Sequence, residues 1–312
     1  MKLATYLYNN SISCGILTEK GIIDIPQHTK DKIRYHSVKE ILIRGDACMA
    51  EVAELVNSPK EYISINEVKI LPPIPRPGKL LALAGNYTKH LEEYHGKKEL
   101  AESPHDTTTP RLFLMPSTAV TATDTRIPWP CYSDQVDYEV ELAVFIGKAV
   151  RCTPPEEALD YVAGYSIAND ISARSVTFKS GRAERPWDEF YDWLCGKWSD
   201  GFLPLGPCLV TPDEVGDPQN LDMKLKVNGQ VRQKANTSEM IFSVAEIVSF
   251  ISHIMTLEPG DCIATGTPEG VGAATGQFLQ AGDRIECKIE KIGTLTNAIG
   301  EPPAPLYKPL EK

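Results

Sequence analysis

The sequence predicts an α+β protein whose regular structure is mostly β. Three features point there. The segment Asp137–Lys148 alternates with period two, so Tyr138, Val140, Leu142, Val144 and Ile146 share one strand face and Glu139, Glu141, Ala143 and Phe145 the other. Short apolar runs bounded by Gly, Pro and Asp turns recur along the main part of the chain. Helical patterns do not alternate regularly with strand patterns, as a doubly wound sheet requires.

The elements follow in order. Ala4–Tyr8, Ser13–Leu17 and Gly21–Ile25 are strand-like runs. Ser37–Ile43 and Ala47–Val56 carry apolar residues at helical spacing. Leu71–Lys79 contains four prolines, which fit neither a helix interior nor a central strand. It marks the join between a small N-terminal α+β module, residues 1–75, and a main domain, residues 76–312. Within the main domain the best helical pattern is Ser243–Met255, opened by a capping box of Ser243 and Glu246. Glu258–Gly266 and Gln280–Glu290 are turns built on Gly-Asp that lead into strands.

Composition narrows the function classes. The chain has 312 residues, 42% of them hydrophobic, enough for one large core and a smaller module. Its formal net charge is −10 and no basic stripe is interleaved with aromatics, so nucleic acid is not an expected partner. Apolar runs are too short and interrupted to span a bilayer. Asn9, Asn10 and Ser11 interrupt the run that a signal peptide needs. The eight cysteines form no C-x-x-C pair; they read as free thiols of a cytoplasmic protein, neither a disulfide frame nor a zinc site.

Glu139 and Glu141 are the first candidates for chemistry. Residues i and i+2 of a strand point the same way, and two adjacent carboxylates repel unless a positive group lies between them. On spacing alone a solvent-facing strand is the simpler reading; the continuation of that face to Ala143 and Phe145 argues against it. Asp170 ends the strand-like run in Gly164–Arg174 and precedes a helix-like turn, either as a helix N-cap or as a third carboxylate of the set. An all-oxygen set suits Mg2+, Mn2+ or Ca2+, and no Cys or His stands near it in sequence to suggest zinc. His90 and Glu93 are helix neighbours at i and i+3, so the carboxylate can orient the imidazole, although Glu92 and His95 share that spacing and such pairs are commonly superficial. Lys197 lies in the turn-rich Cys195–Pro207 stretch, where a lone lysine is ordinarily solvated. Thr265, Gly266 and Thr267 form a turn able to offer hydroxyl and N–H groups to a carboxylate.

Taken together, GNYTKH, FLMPST (Phe113–Thr118), DYEVELAVFIGK, GYSIANDISAR, GKWSDGFLPLGP, VNGQVRQ and LEPGDCIATGTPEGVG resemble the fumarylacetoacetate hydrolase family, in its broad branch of acylpyruvases and 2-hydroxyhepta-2,4-diene-1,7-dioate isomerases. The pieces stand in family order from about Lys79 to Glu290. The resemblance implies a fold of layered mixed β-sheets, a homodimer and a small 2-oxo acid substrate. It implies Mg2+ or Mn2+ on Glu139, Glu141 and Asp170, a catalytic pair of His90 and Glu93, and a catalytic Lys197 that contacts substrate. Thr267, with Gly266, is implied to bind substrate, as is Thr177, which stands where many members carry a Gln that holds a substrate carboxylate. Further departures are Asn86, where fumarylacetoacetase proper has an additional Asp ligand, Met115 for a common Lys, Ser175 for a common Asp, and Trp198-Ser199 for Ser-Phe. The implied activity is metal-dependent cleavage of a C–C bond in an acylpyruvate-like 2,4-diketo acid. The alternatives are an isomerase or decarboxylase of a 2-oxo or 2-hydroxy-dienoate dicarboxylic acid, or a protein that binds an oxo acid with little catalysis.

Overall fold

Burial on both faces of one strand organises the molecule. The segment Asp137–Lys148 forms two strands rather than one, Gln135–Asp137 and Val140–Ile146. The ladder breaks at Tyr138 and Glu139 because side chains there take the place of a neighbouring backbone: the Glu139 N–H donates to Asn169 Oδ1 at 2.9 Å, and the Val140 N–H to Gln233 Oε1 at 2.9 Å. All seven residues of Val140–Ile146 are buried. The structure, a computed structural model, describes residues 1–29, 35–57, 61–94, 102–176, 178–179, 181–304 and 306.

Val140–Ile146 lies inside an eleven-stranded mixed sheet. Its path runs Gly21–Asp24, Ser11–Thr18, Lys2–Tyr8, Leu203–Val210, Val162–Asn169, Val140–Ile146, Cys262–Ala264, Leu80–Ala84 and Arg111–Leu114; Lys69–Leu71 and Val120–Thr121 pair off that path. A second, five-stranded sheet orders Gln230–Asn236, Asp222–Val227, Arg284–Ile289, Gly293–Ile299 and Thr125–Ile127. Ser172–Arg174 pairs with Gln135–Asp137. The three N-terminal strands extend the large sheet, since Leu3 lies opposite Leu209.

The two faces of the alternating strand enter different cores. Val140, Leu142, Val144 and Ile146 pack with Leu225, Ile285 and Ile289 of the five-stranded sheet and with Val248 of helix Val244–Ile254. Ala143 and Phe145 join the cluster of Leu3, Ile16, Val38 and Ile41. Helix Val38–Arg44 is capped by the Ser37 hydroxyl, which accepts from the Glu40 N–H. Helix Val244–Ile254 begins with the Ser243–Glu246 capping box. Helix Asp46–Glu54 continues into a 3-10 turn, Leu55–Asn57. No helix among the described residues is long and apolar enough to cross a membrane, and the eight cysteines are free.

Strand directions bring several segments to one end of the large sheet. Cys262–Ala264 runs antiparallel to Val140–Ile146 and parallel to Leu80–Ala84, which in turn pairs antiparallel with Arg111–Leu114. Glu139, Asp170, Thr265–Thr267, Gly85–His90 and Arg111 therefore all lie at this end.

Two-sided burial makes the central strand sensitive to side-chain volume. Phe145→Ala removes a side chain with 0% exposure and is expected to lower the unfolding free energy by about 3–5 kcal/mol. Urea denaturation checks it; a loss below about 1 kcal/mol contradicts the two-core packing.

Candidate active site

Asp137, Glu139 and Glu141 project from the first residues of the alternating segment, and Asp170 follows the adjacent strand Val162–Asn169. Both glutamates are buried, not solvent-facing. Asp170 is no helix cap: the turn after it leads into the strand Ser172–Arg174. The Asp170 N–H donates to the Glu139 carbonyl at 2.9 Å, which brings the two side chains to one point. One carboxylate oxygen from each of Glu139, Glu141 and Asp170 lies within 4.8 Å of the others.

Two cations answer this charge. The Lys197 ammonium, only 2% exposed, donates to Glu139 Oε2 and to Asp170 Oδ2, each at 2.7 Å. Arg174 donates to Glu139 Oε1 and, through Nε, to Asp137 Oδ2 at 3.1 Å. Asp137 is held in turn by the N–H groups of Gly272 and Ala273. Four carboxylates face two cations in this network. The deficit falls on Glu141 and Asp170, where Oε1 of the first and Oδ1 of the second are buried without a hydrogen-bond partner among the described residues. Unpartnered buried carboxylate oxygens cost free energy, and an all-oxygen set of this kind fits a hard divalent cation.

The proton affinities follow that geometry. Burial pushes Glu139 up, but Lys197 and then Arg174 outweigh it and hold the carboxyl down at about 2. Burial, opposed by Lys197 and reinforced by Glu139, raises Asp170 to about 6. Burial, followed by the Asp170 and Glu139 charges, raises Glu141 well above the carboxylate range. Burial also opposes the Lys197 charge, yet Asp170 and Glu139 keep that ammonium above its ordinary value.

A cavity of about 520 Å3 opens onto Glu139, Lys197, Arg174, His90, Thr267 and Arg111, with Phe113, Phe190 and Trp193 among its walls. His90 stands on the helix Thr88–Tyr94; burial lowers its imidazole below the ordinary value, so the ring is neutral near neutral pH. Glu93 is on the same helix, and its carboxylate accepts the Gly270 N–H. His95 lies outside the described residues. Lys197 sits under the ring of Trp193, 5.6 Å from its centroid.

The Thr265–Thr267 turn serves the cluster itself. The Gly266 N–H donates to Glu141 Oε2 at 2.8 Å. Gly266 has φ +94°, and a Cβ there would meet the Asn86 side chain at 2.8 Å, so glycine lets this turn come close. Thr267 donates to the Val140 carbonyl at 3.0 Å and accepts from Gln233 at 2.9 Å, with its side chain on the cavity. Asn86 clamps the turn: its amide donates to the carbonyls of Phe242 and Thr265 and accepts from the Phe242 N–H. Met115 is buried in the second core. Trp198 donates to the Leu114 carbonyl at 2.9 Å, and Ser175 to Gln135 at 2.6 Å. Thr177 lies outside the described residues.

Four residues of this site were not singled out from sequence. Asp137 shares the parity of Glu139 and Glu141, a signal already present in the alternation. Arg174 closes the same segment as Asp170. Gln233 closes the VNGQVRQ segment, whereas Arg111 carried no local signal, because it is brought in by a strand remote in sequence.

The fold and the carboxylate cluster define a class of enzyme, and comparison places the chain within it. Residues 79–300 match the family described as fumarylacetoacetate (FAA) hydrolase, C-terminal. The chain belongs to the fumarylacetoacetate hydrolase family. It is 37% identical over 281 residues to the mitochondrial oxaloacetate tautomerase FAHD2A of Bos taurus, covering 89% of this chain and 84% of the relative. It is similar to the crystal structure of maleylpyruvate hydrolase from Sphingobium sp. SYK-6 in complex with manganese(II) and pyruvate, with a TM-score of 0.75 and 29% identity over 97% of this chain and all of that one. The 2-hydroxyhepta-2,4-diene-1,7-dioate isomerase of Mycobacterium marinum gives a TM-score of 0.70 and 28% identity over 96% and 98% of the two chains.

Two outcomes follow from the charge balance. Lys197→Met leaves Glu139 and Asp170 without their shared cation and is expected to destabilise the metal-free protein by about 3–5 kcal/mol, measured by urea denaturation near neutral pH. The folded Asp170 holds its proton to about pH 6, against 3.8 as the ordinary value. Its contribution to metal-free stability is therefore present at low pH and lost as pH rises through about 6. Asp170→Asn removes that dependence; an unchanged stability–pH profile contradicts the assignment.

Proposed function

We propose that this chain is a divalent-cation-dependent keto–enol tautomerase of a small 2-oxo acid. The observation that carries this reading is the buried imidazole of His90 on the same cavity as a buried carboxylate cluster, two of whose oxygens have no hydrogen-bond partner among the described residues. Glu139, Glu141 and Asp170 hold Mg2+ or Mn2+, which when bound supplies chelation of the 2-oxo acid and polarisation of its keto group. The likeness to oxaloacetate tautomerase and to a hydrolase bound to manganese(II) and pyruvate supports both the ligand class and the cation.

The chain's own groups handle the proton. His90 is neutral, as a base must be before it accepts the C3 proton, and Glu93 lies one helical turn away to stabilise the charged ring. The imidazolium then returns the proton to oxygen to complete the enol, and the reverse order restores the ketone. Lys197 remains charged beside the developing negative oxygen. Phe113, Phe190 and Trp193 keep an apolar wall against the reacting carbon and restrict water. Arg174 and Gly266 fix the two glutamates in place.

A second reading, hydrolytic C–C cleavage of an acylpyruvate, is favoured by the His90 and Glu93 pair and by the likeness to maleylpyruvate hydrolase. It differs in its products: cleavage releases pyruvate, whereas tautomerisation moves a proton and consumes no water. An oxo-acid-binding role without catalysis differs from both by leaving every substrate unchanged.

Ketonisation of enol-oxaloacetate, followed by loss of enol absorbance with added Mg2+ or Mn2+ and with a chelator, tests the assignment. Cation-dependent acceleration is the expected result; pyruvate released from acetylpyruvate without such acceleration overturns it in favour of hydrolysis. His90→Gln is expected to lower turnover by about 10²–10⁴ while oxalate binding persists. Asp170→Ala is expected to abolish cation-dependent oxalate binding in calorimetry.

A further inference from the structure

Three rings on the cavity wall form one continuous array. Trp193 is its centre. Phe113 meets it edge-on, with centroids 4.9 Å apart and planes at 71°, and Phe190 stacks on it at 5.9 Å and 27°. Lys197, which bridges Glu139 and Asp170, lies 5.6 Å from the same indole centroid. The array therefore starts at the carboxylate cluster. It runs outward to Phe190, which is 48% exposed, whereas Phe113 is buried.

Local structure explains the arrangement. Phe190 and Trp193 stand at i and i+3 on helix Asp188–Cys195 and share a face. Phe113 comes from the edge strand Arg111–Leu114. No residue of the helix is fully buried, so Phe190 keeps open apolar surface on the cavity. Covering that surface with an apolar ligand group is favourable. Arg111, exposed on the same cavity, is a cation that the face of an aromatic ring accepts. The cavity volume of about 520 Å3 leaves room beyond a pyruvate unit. A 2-oxo acid whose carboxylate and keto oxygens face the cluster projects its C3 substituent away from it, along this wall.

We propose that this substituent is an aryl ring seated against Trp193 and Phe190, and that the substrate is an arylpyruvate. The assignment names the substrate of the cluster site and rests on the cluster being the 2-oxo acid site. The step balances without a co-reactant: a C3 proton leaves, its electron pair forms the C2–C3 double bond, and the C2 oxygen takes a proton. An aryl group on C3 conjugates with that double bond, so the enol is flat, and a flat ring system is what a stacked and edge-on array receives. Phe190 takes no part in the proton transfer; it acts on binding of the unreacting ring.

The test uses the full chain with Mn2+. Phenylpyruvate, 4-methyl-2-oxopentanoate, 2-oxobutanoate and oxaloacetate are each titrated in competition with oxalate by calorimetry. Phenylpyruvate is expected to bind about tenfold or more tightly than each of the others. Phe190→Ala is expected to weaken phenylpyruvate binding by about 5- to 20-fold and to raise its KM, followed by enol absorbance, without a comparable fall in kcat. Phe190→Tyr is expected to retain the affinity and Phe190→Leu to retain part of it, while oxalate affinity stays within about twofold. Equal affinity for phenylpyruvate and 4-methyl-2-oxopentanoate, or tighter binding of oxaloacetate, overturns the aryl assignment while the cluster reading stands. An unchanged phenylpyruvate affinity in Phe190→Ala, or an equal loss for 2-oxobutanoate, does the same. Absence of cation-dependent oxalate binding in the unsubstituted chain overturns the cluster reading and, with it, the aryl assignment.

Discussion

Burial of negative charge is the constraint on which the rest of this site depends. Asp137, Glu139, Glu141 and Asp170 are all nearly inaccessible, and such a group survives burial only when every charge is answered. Lys197 and Arg174 answer it in part, each bridging two carboxylates. The remainder appears as raised proton affinity at Asp170 and Glu141 and as two oxygens without partners among the described residues. A protein that merely buried these groups would do better to replace them with apolar residues. Their retention makes physical sense where a dication enters the cluster.

The large sheet supplies the rigidity that such a cluster needs. Val140–Ile146 is covered on both faces, so its first turn cannot drift without disturbing two cores. Backbone and amide contacts complete the frame. Gln233 joins the Val140 N–H to the Thr267 hydroxyl and the Pro268 carbonyl, tying the five-stranded sheet to the strand that bears Glu139 and Glu141. Asn86 performs the same office for the Gly266 turn. The polar groups of the Thr265–Thr267 segment are largely spent on holding the cluster, with Thr265 donating to Leu142 and Thr267 to Val140. What faces the cavity is an imidazole, a sequestered ammonium and the guanidiniums of Arg174 and Arg111, set among aromatic walls.

Much of this was legible in the chain itself. The period of two in Asp137–Lys148 dictated which residues share a face, and the two cores divide along that line. Ser243 and Glu246 stated a helix start, because a cap is a local hydrogen bond between residues three apart. The side-by-side direction of Glu139 and Glu141 followed from the pleat, and the ordered motifs identified the family. Tertiary structure alone decided the surroundings. Whether the two glutamates met water or a core depended on strands distant in sequence, and local spacing left that open. The break at Tyr138 and Glu139 arose from Asn169 and Gln233, the union of Asp170 with the glutamates from sheet pairing, and the arrival of Lys197 from the chain beyond helix Asp188–Cys195. Arg111 came to the cavity through an edge strand. Period and capping are short-range effects written in adjacent residues, whereas charge compensation and cavity shape are sums over groups that only the folded chain brings within a few ångströms.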